Sequence, residues 1–305
     1  MSLPLLLAEL EAVSVERISP TFVRVVLGGP DLAEYGVEGP RYDQRIKLIF
    51  PVPGQTTPAA QDRASLEEWW ELPEERRGPM RTYTIRDVLG DGPETRLVVD
   101  FVVHEDGLAG PGAGWALRAV PGDRVRAMVP RRGVPFGGIE WAPPSVEDLL
   151  LVGDESALPA IASILADLKP DSRGRVFVEV PEAADIMDLA APVDMELCWL
   201  PRGHTDAGSR MVPAIRAHLG LEPGDFADAA DIDPDLWETP TWSSSGDEIG
   251  QTRSMGGDLA HFYAWIAGES RMVTTLRRAL VGELGVDRSQ VAFMGYWRKG
   301  VAMRS

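Results

Sequence analysis

Cysteine is all but missing from this sequence: Cys198 is the only one. A single thiol excludes an internal disulfide, a CxxC redox pair and a cysteine-ligated cluster, and it suits a reducing, cytoplasmic setting. Lysine is nearly as scarce, with Lys47, Lys169 and Lys299 as the whole set, so arginine carries the positive charge. No apolar run approaches the roughly 20 residues of a membrane span. The opening stretch MSLPLLLAELEAV has no basic region, and its apolar run is too short for a secretory signal. No HExxH, no GxSxG and no close pair of histidines is present, so neither a catalytic side chain nor a resident metal is expected.

What is abundant is acid. A net charge of −17 argues against nucleic acid and anionic membrane as partners. A small anionic ligand stays compatible with it, because a basic pocket can sit inside an acidic protein. A length of 305 residues suits two domains.

Residues 1–142 read as short strands: LEAVSVERI, FVRVVLGG, QRIKLIFP, RTYTIRDV, TRLVVDFVVH and DRVRAMVP, with turn residues such as Gly28-Gly29-Pro30 between them. One helix is predicted near Trp115–Ala119, ended by Pro121-Gly122. This pattern predicts a six-stranded antiparallel β-barrel. Residues 145–305 change period. Strands DLLLVGD, RVFVEV, MELCWLP, HFYAWIAG and VAFMGYW alternate with helices SALPAIASILADL, EAADIMDL, RMVPAIRAHLG and ESRMVTTLRRALVGELG. That alternation predicts an α/β domain with about five parallel strands, whose ligands sit beyond the carboxyl ends of the strands. Residues 221–258 interrupt it as an acidic insertion. Within them Asp231-x-Asp233-x-Asp235 imitates a calcium loop, but Leu236 stands at the glycine position and Trp242 where the closing glutamate belongs.

Two stretches carry chemistry. In Arg81-Thr82-Tyr83-Thr84-Ile85-Arg86 a single strand puts Arg81, Tyr83 and Ile85 on one face and Thr82, Thr84 and Arg86 on the other. A twist or strand end is needed to aim both arginines at one ligand. Tyrosine offers a flat ring and a hydroxyl, and arginine offers bidentate bonds to phosphate. A ring bearing a pyrophosphate tail would satisfy both; an edge strand with solvated arginines is the alternative. In the second stretch Gly110, Gly112 and Gly114 precede a helix at Trp115. Such glycines let backbone amides approach an anion. The spacing departs from GxGxxG, whose third glycine falls on Trp115, and a plain glycine-rich turn is the alternative.

Taken in order, R-x-Y-T-x-R, then H-x-D-G, G-P-x-x-x-W-A and P-G-D, then LLVGDESALPAIASIL, WLPRG, WIAGE and GYWRKG resemble the siderophore-interacting protein family. Its members are flavin-dependent ferric-siderophore reductases with a ferredoxin-reductase-like fold. The resemblance spans roughly residues 10–220 and 260–300. It implies non-covalent FAD at the domain junction and NADPH or NADH as electron donor, with a ferredoxin-type donor as another possibility. It implies a ferric siderophore as substrate, with no nucleic acid or membrane partner.

By this resemblance Arg81 meets the pyrophosphate, with Arg86 a second candidate. Tyr83 lies along the flavin, and Thr82 and Thr84 belong to the same cofactor-binding strand, Thr84 reaching the flavin's polar edge. His104 is a flavin-contacting histidine or a structural imidazole. Gly110, Gly112, Ala113, Gly114 and Trp115 form the phosphate turn, with Ala113-Gly114 where the family usually has serine. Asp154, Glu155 and Ser156 lie near the flavin–nicotinamide junction or cap a helix, Ser156 replacing the usual threonine. Lys47, Arg131, Arg132, Arg298 and Lys299 match basic positions that receive the anionic siderophore. Arg202 is assigned to a dinucleotide phosphate. Tyr296 and Trp297 either cap the flavin or end the last strand. A same-fold reductase acting on a protein or on free flavin, and a siderophore- or flavin-binding protein without turnover, are the competing readings.

Overall fold

The computed structural model describes residues 5–52, 63–103, 110–144, 148–228, 237–239 and 261–301. The acidic aspartates at 231, 233 and 235, Trp242 and His104 lie outside these residues. Two compact units divide the chain, with Ile139 the last of the first unit's main segment and Glu140 the first of the second.

The first unit contains strands β1 (Leu5–Arg17), β2 (Phe22–Gly28), β3 (Arg45–Ile49), β4 (Met80–Thr84), β5 (Asp87–Leu89), β6 (Arg96–Val102) and β7 (Arg124–Pro130). They form one antiparallel sheet in the order β4-β3-β7-β1-β2-β6-β5. The predicted six strands become seven because RTYTIRDV is broken. β4 pairs with β3 and β5 pairs with β6. At the break the Ile85 amide still donates to Gln44 O (3.0 Å), whereas the Arg86 amide donates to Val98 O (2.9 Å). β4 and β5 stand at opposite ends of the sheet order, yet only two residues separate them. Three Cα–Cα steps of about 3.8 Å keep Thr84 and Asp87 within roughly 11 Å. The sheet therefore curls until its two edges nearly meet.

Period-two burial drives this curl. Leu6, Ala8, Leu10 and Ala12 of β1 point inward, and join Val25, Leu27, Leu48, Val99, Phe101, Val125 and Ala127 in one core. A bulge between Ala12 and Ser14 leaves Val13 half exposed. Helix α3 (Pro111–Ala116) closes this core with Trp115 and Ala116. It begins four residues earlier than the predicted helix.

The sequence pattern offers one helix in this half; the structure adds α1 (Arg63–Glu71) and the single turn α2 (Glu74–Arg77). They are present because the outer face of the sheet is apolar where Ile49, Met80 and Met128 line up. Trp69 of α1 covers them and is itself buried.

The second unit contains β8 (Asp148–Gly153), α4 (Leu158–Asp167), β9 (Arg173–Val180), β10 (Asp194–Pro201), α5 (Met211–His218), β11 (Trp237–Glu238), β12 (Phe262–Glu269), α6 (Ser270–Arg277) and β13 (Val291–Trp297). The sheet order is β10-β9-β8-β12-β13-β11. Five strands run parallel, and β11 pairs antiparallel with β13, so the sheet is mixed rather than all parallel. EAADIMDL forms no helix but a 3-10 turn at Ala183–Asp185. The Asp185 carboxylate accepts the Glu182 amide (3.0 Å) and closes the turn. The last helix is α only to Arg277 and continues as a π-helical segment, Arg278–Glu283. Chain order reverses where β8 adjoins β12, and such switch points are where open α/β sheets bind ligands. Among the described residues, no helix is long and apolar enough to cross a membrane.

Candidate functional site

β4 displays the RxYT stretch as the alternation predicts. Tyr83 turns toward the aromatic core, with its ring 4.5 Å from Phe101 and 6.1 Å from Phe50. The residue as a whole is part-buried. Burial pushes its phenol above the ordinary value, with Arg81 pulling weakly the other way. Arg81 donates to the Met80 carbonyl (2.7 Å). Thr82 points to the other face and accepts from Lys47 Nζ at 2.6 Å. A residue assigned to the cofactor and one assigned to the substrate thus share a hydrogen bond. Burial lowers the Lys47 ammonium pKa, and Arg45 adds to this. Thr84 is half-buried.

Arg86 occupies a different neighbourhood. Beyond the strand break it sits in the field of Asp100, Arg24, Asp87 and Arg41, with its pKa lowered first by burial. Arg24 holds buried Asp100 in a fork, at 2.7 and 2.8 Å. No hydrogen bond or ion pair engages the Arg86 guanidinium among the described residues. The strand break separates the two arginines instead of aiming them along one strand.

The glycines of the second stretch play unequal parts. A Cβ on Gly112 would fall 1.9 Å from the Tyr83 hydroxyl and 3.0 Å from Phe50 Cζ. That glycine is required by the chain's own packing. Among the described residues, a Cβ on Gly110 would meet nothing within 4 Å, and one on Gly114 would meet Arg118 alone, at 3.5 Å from Nη1. α3 spans six residues, and the first amides of a helix, here Gly112 and Ala113 after Pro111, have no partner within it. Trp115 is a core side chain, with its ring 5.7 Å from both Phe50 and Phe101. Arg118, exposed beside Gly114, is a cation the motif reading missed. Its one sequence signal is its position four residues after Gly114, one helical turn on. The first amides of α3, Arg118 beside Gly114 and Tyr83 against Gly112, with Arg81 on the same strand as Tyr83, are a donor set whose chemistry fits the diphosphate and ring of FAD.

Of the five basic positions assigned to the siderophore, Lys47, Arg131 and Arg132 belong to the first unit, Arg298 and Lys299 to the second. Arg131 is paired with Glu34 (2.8 Å). Arg132 donates to the neutral Tyr35 carbonyl (3.2 and 3.4 Å) and keeps its net charge. Lys299 pairs with Asp206 (2.6 Å), both exposed. Arg298 forms a bridge with Val301.

In the second unit the carboxyl ends of the strands carry a cluster of acids. Asp154, fully buried after β8, has every acceptor position filled. Oδ1 accepts the Ser156 amide (2.9 Å) and hydroxyl (2.5 Å); Oδ2 accepts the Glu269 amide (2.7 Å) and Trp297 Nε1 (2.8 Å). Burial, then Glu155, pushes its pKa up to about 6. Gly268, at φ +142°, makes room: a Cβ there would lie 2.7 Å from the Asp154 carboxyl carbon. Asp154 and Ser156 therefore hold the turn that leads into α4, whose N-cap Ala157 has no side-chain cap bond, and Trp297 is tied to that turn. Tyr296 stacks on Trp237 (5.7 Å, 19°).

Buried Glu155 holds Arg202 in a fork, with both bonds at 2.6 Å. Burial opposes the Arg202 charge, and the Glu155 pair outweighs it, leaving the pKa raised. The assignment of Arg202 to a dinucleotide phosphate does not fit this geometry, because its bidentate face is already occupied. Glu179, absent from the motif reading, and Glu269, the last residue of WIAGE with no role given there, cap helices. Glu179 accepts the amides of Gly208, Arg210 and Met211 at α5 (2.6, 2.8 and 3.0 Å). Glu269 accepts those of Arg271 and Met272 at α6 (2.7 and 3.0 Å).

Known proteins align with this architecture along nearly its whole length. The family described as Siderophore-interacting FAD-binding domain matches residues 11–134, and that described as Siderophore-interacting protein matches residues 146–300. The ferric vibriobactin reductase ViuB of Vibrio cholerae is 28% identical over 95% of this chain and 89% of its own. The NADPH-dependent ferric-chelate reductase of Escherichia coli is 28% identical over 95% and 92%. A siderophore utilization protein from T. fusca superposes with a TM-score of 0.67 at 29% identity, covering 99% of this chain and 96% of that one. The ferredoxin reductase in carbazole 1,9a-dioxygenase shares the fold, with a TM-score of 0.57 at 15% identity over 97% and 71%. With a ferredoxin-reductase-like fold and a FAD-binding domain at its amino-terminal end, the chain belongs to the siderophore-interacting protein family.

Proposed function

We propose that this protein reduces ferric siderophores, using non-covalently bound FAD and electrons from NADPH or NADH. The observation that carries the reading is the seat between β4 and α3, where the Tyr83 hydroxyl fills the space beside Gly112 and Arg118 lies beside Gly114, with Arg81 two residues before Tyr83 on the same strand. The V. cholerae and E. coli relatives, named as ferric reductases, support it.

Arg81 and the first amides of α3 hold the diphosphate, and Arg118 adds charge from the exposed side. Tyr83 lies along the ring system, with its position set by Phe101 behind it. Thr84 meets the polar edge. When bound, FAD supplies the passage from a two-electron donor to a one-electron acceptor. The chain needs no acid–base pair for this, and its polar groups serve to hold and orient.

The substrate is an anionic complex of ferric iron with hard oxygen donors. Lys47, partly desolvated and bonded to Thr82, and Arg132, whose partner among the described residues is the neutral Tyr35 carbonyl, bring positive charge to it. Arg131 is paired with a carboxylate and contributes less; in the second unit Lys299 is likewise paired, and Arg298 is the other basic position assigned to the substrate. Reduction lowers the charge on iron, and hard oxygen ligands then hold it less tightly.

The test is anaerobic iron release, followed with a ferrous chelator, from several ferric siderophores with each nicotinamide cofactor. Many turnovers per flavin are expected. A protein that reduces cytochrome or free flavin but no siderophore, or that binds siderophore without turnover, contradicts the reading.

A further inference from the structure

The carboxyl edge of a parallel sheet ordinarily offers phosphates the amino ends of the helices that start there. Among the described residues, three such helices start there: α5 and α6 are closed by the chain's own carboxylates, and α4 by the main-chain carbonyl of an aspartate whose carboxylate holds the preceding turn. At α4, Asp154 takes the Ser156 amide with its side chain and the Ala157 and Leu158 amides with its carbonyl (3.0 and 3.1 Å). Pro159 then contributes no amide. At α5, Glu179 takes three amides while being fully buried. At α6, Glu269 takes two. Arg202, the one buried cation placed with these acids, is forked onto Glu155 and lies 3.9 Å from Glu179. The switch point is sealed as well, because the carboxylate of Asp154, just past β8, accepts from the Glu269 amide of β12. An incoming diphosphate would find each helix start filled, with like charges beside it.

We infer that Asp154, Glu179 and Glu269 set donor specificity by denying the dinucleotide diphosphate a seat, so that the donor is recognised through its nicotinamide half alone. The inference rests on the reductase reading and deepens it. Reduced nicotinamide mononucleotide then serves as a donor nearly as well as NADH, since the adenylate half contributes little. Removing a seal, as in Glu269→Ala, frees the Arg271 and Met272 amides and creates the missing phosphate site.

The experiment compares reduced nicotinamide mononucleotide with NADH as reductants of the FAD-loaded protein, and titrates ADP calorimetrically into wild type and Glu269→Ala. The expected kcat/KM ratio between donors is within about threefold, a difference under ~1 kcal/mol. ADP should show no saturation below about 1 mM in wild type, and should bind at least tenfold tighter in the variant. A preference for NADH above roughly 30-fold, or ADP binding to wild type at tens of micromolar, overturns the inference. So does a folded Glu269→Ala protein that binds ADP no better. If the variant does not fold, or if neither donor reduces the flavin, the wild-type ADP titration decides. Failure of the reductase reading shows separately, as photochemically reduced flavoprotein that leaves ferric siderophore intact whatever ADP does.

Discussion

The Tyr83 hydroxyl stands where the Cβ of any larger residue at position 112 would have to go, 1.9 Å from the ideal position. This contact locks β4 to α3, the two elements that carry the proposed FAD contacts. Gly112→Ala should cost about 1–3 kcal/mol of stability through overpacking. Adding Tyr83→Phe removes the hydroxyl but leaves the ring carbon at 2.9 Å, so the double variant should recover part of the loss. Urea melts of the two single variants and the double variant, read as a mutant cycle, check the coupling.

Arg81→Ala should weaken FAD by roughly 1–3 kcal/mol, the worth of a hydrogen bond to a charged group. Flavin fluorescence titration measures it, and the melting curve of the flavin-free protein should barely move.

Lys47→Met keeps the apolar stem and removes the ammonium. The KM for ferric siderophore should rise about tenfold, equivalent to ~1.4 kcal/mol, with bound flavin unchanged. A protein that purifies colourless would assign Lys47 to the cofactor, alongside its partner Thr82.

The Glu155–Arg202 fork is buried on both sides. Arg202→Met strands a carboxylate and should cost about 3–5 kcal/mol. Replacing both residues with apolar ones should cost clearly less, because no unpaired charge remains. Denaturant melts separate the two outcomes.

Asp154 gives a pH signature. Its folded pKa is raised to about 6 from 3.8, so between these values the folded state holds more protons than the unfolded state. Its contribution is most favourable below pH 4 and is lost as pH rises through 6. The wild-type minus Asp154→Asn difference in unfolding free energy should fall by about 2 kcal/mol from pH 4 to pH 7.

Local signals in the sequence were enough for the second unit's strand–helix alternation, where Leu150, Val152, Ile266 and Phe293 repeat as buried runs. They were enough too for the RxYT strand, whereas Gly112 and Gly114, read as a turn before the helix, lie inside α3. What stayed hidden depends on distant partners. Helix α1 exists to cover Ile49, Met80 and Met128, which no local pattern marks as a covered outer face. The strand break at Ile85–Arg86 appears only when β3 and β6 compete for its amides. Glu179 meets its amides 29 to 32 residues downstream, beyond any capping motif. EAADIMDL reads as helix by composition, but its Glu182 and Asp185 close a single turn on each other.

The most direct test of the central claim needs no external donor. The protein is loaded with FAD, reduced photochemically without oxygen, and mixed with a ferric siderophore while flavin absorbance and ferrous chelate are recorded together. Reoxidation of the flavin with two ferrous ions released per flavin, slowed in Lys47→Met, is the predicted result. A reduced flavin that persists beside intact ferric siderophore would contradict it.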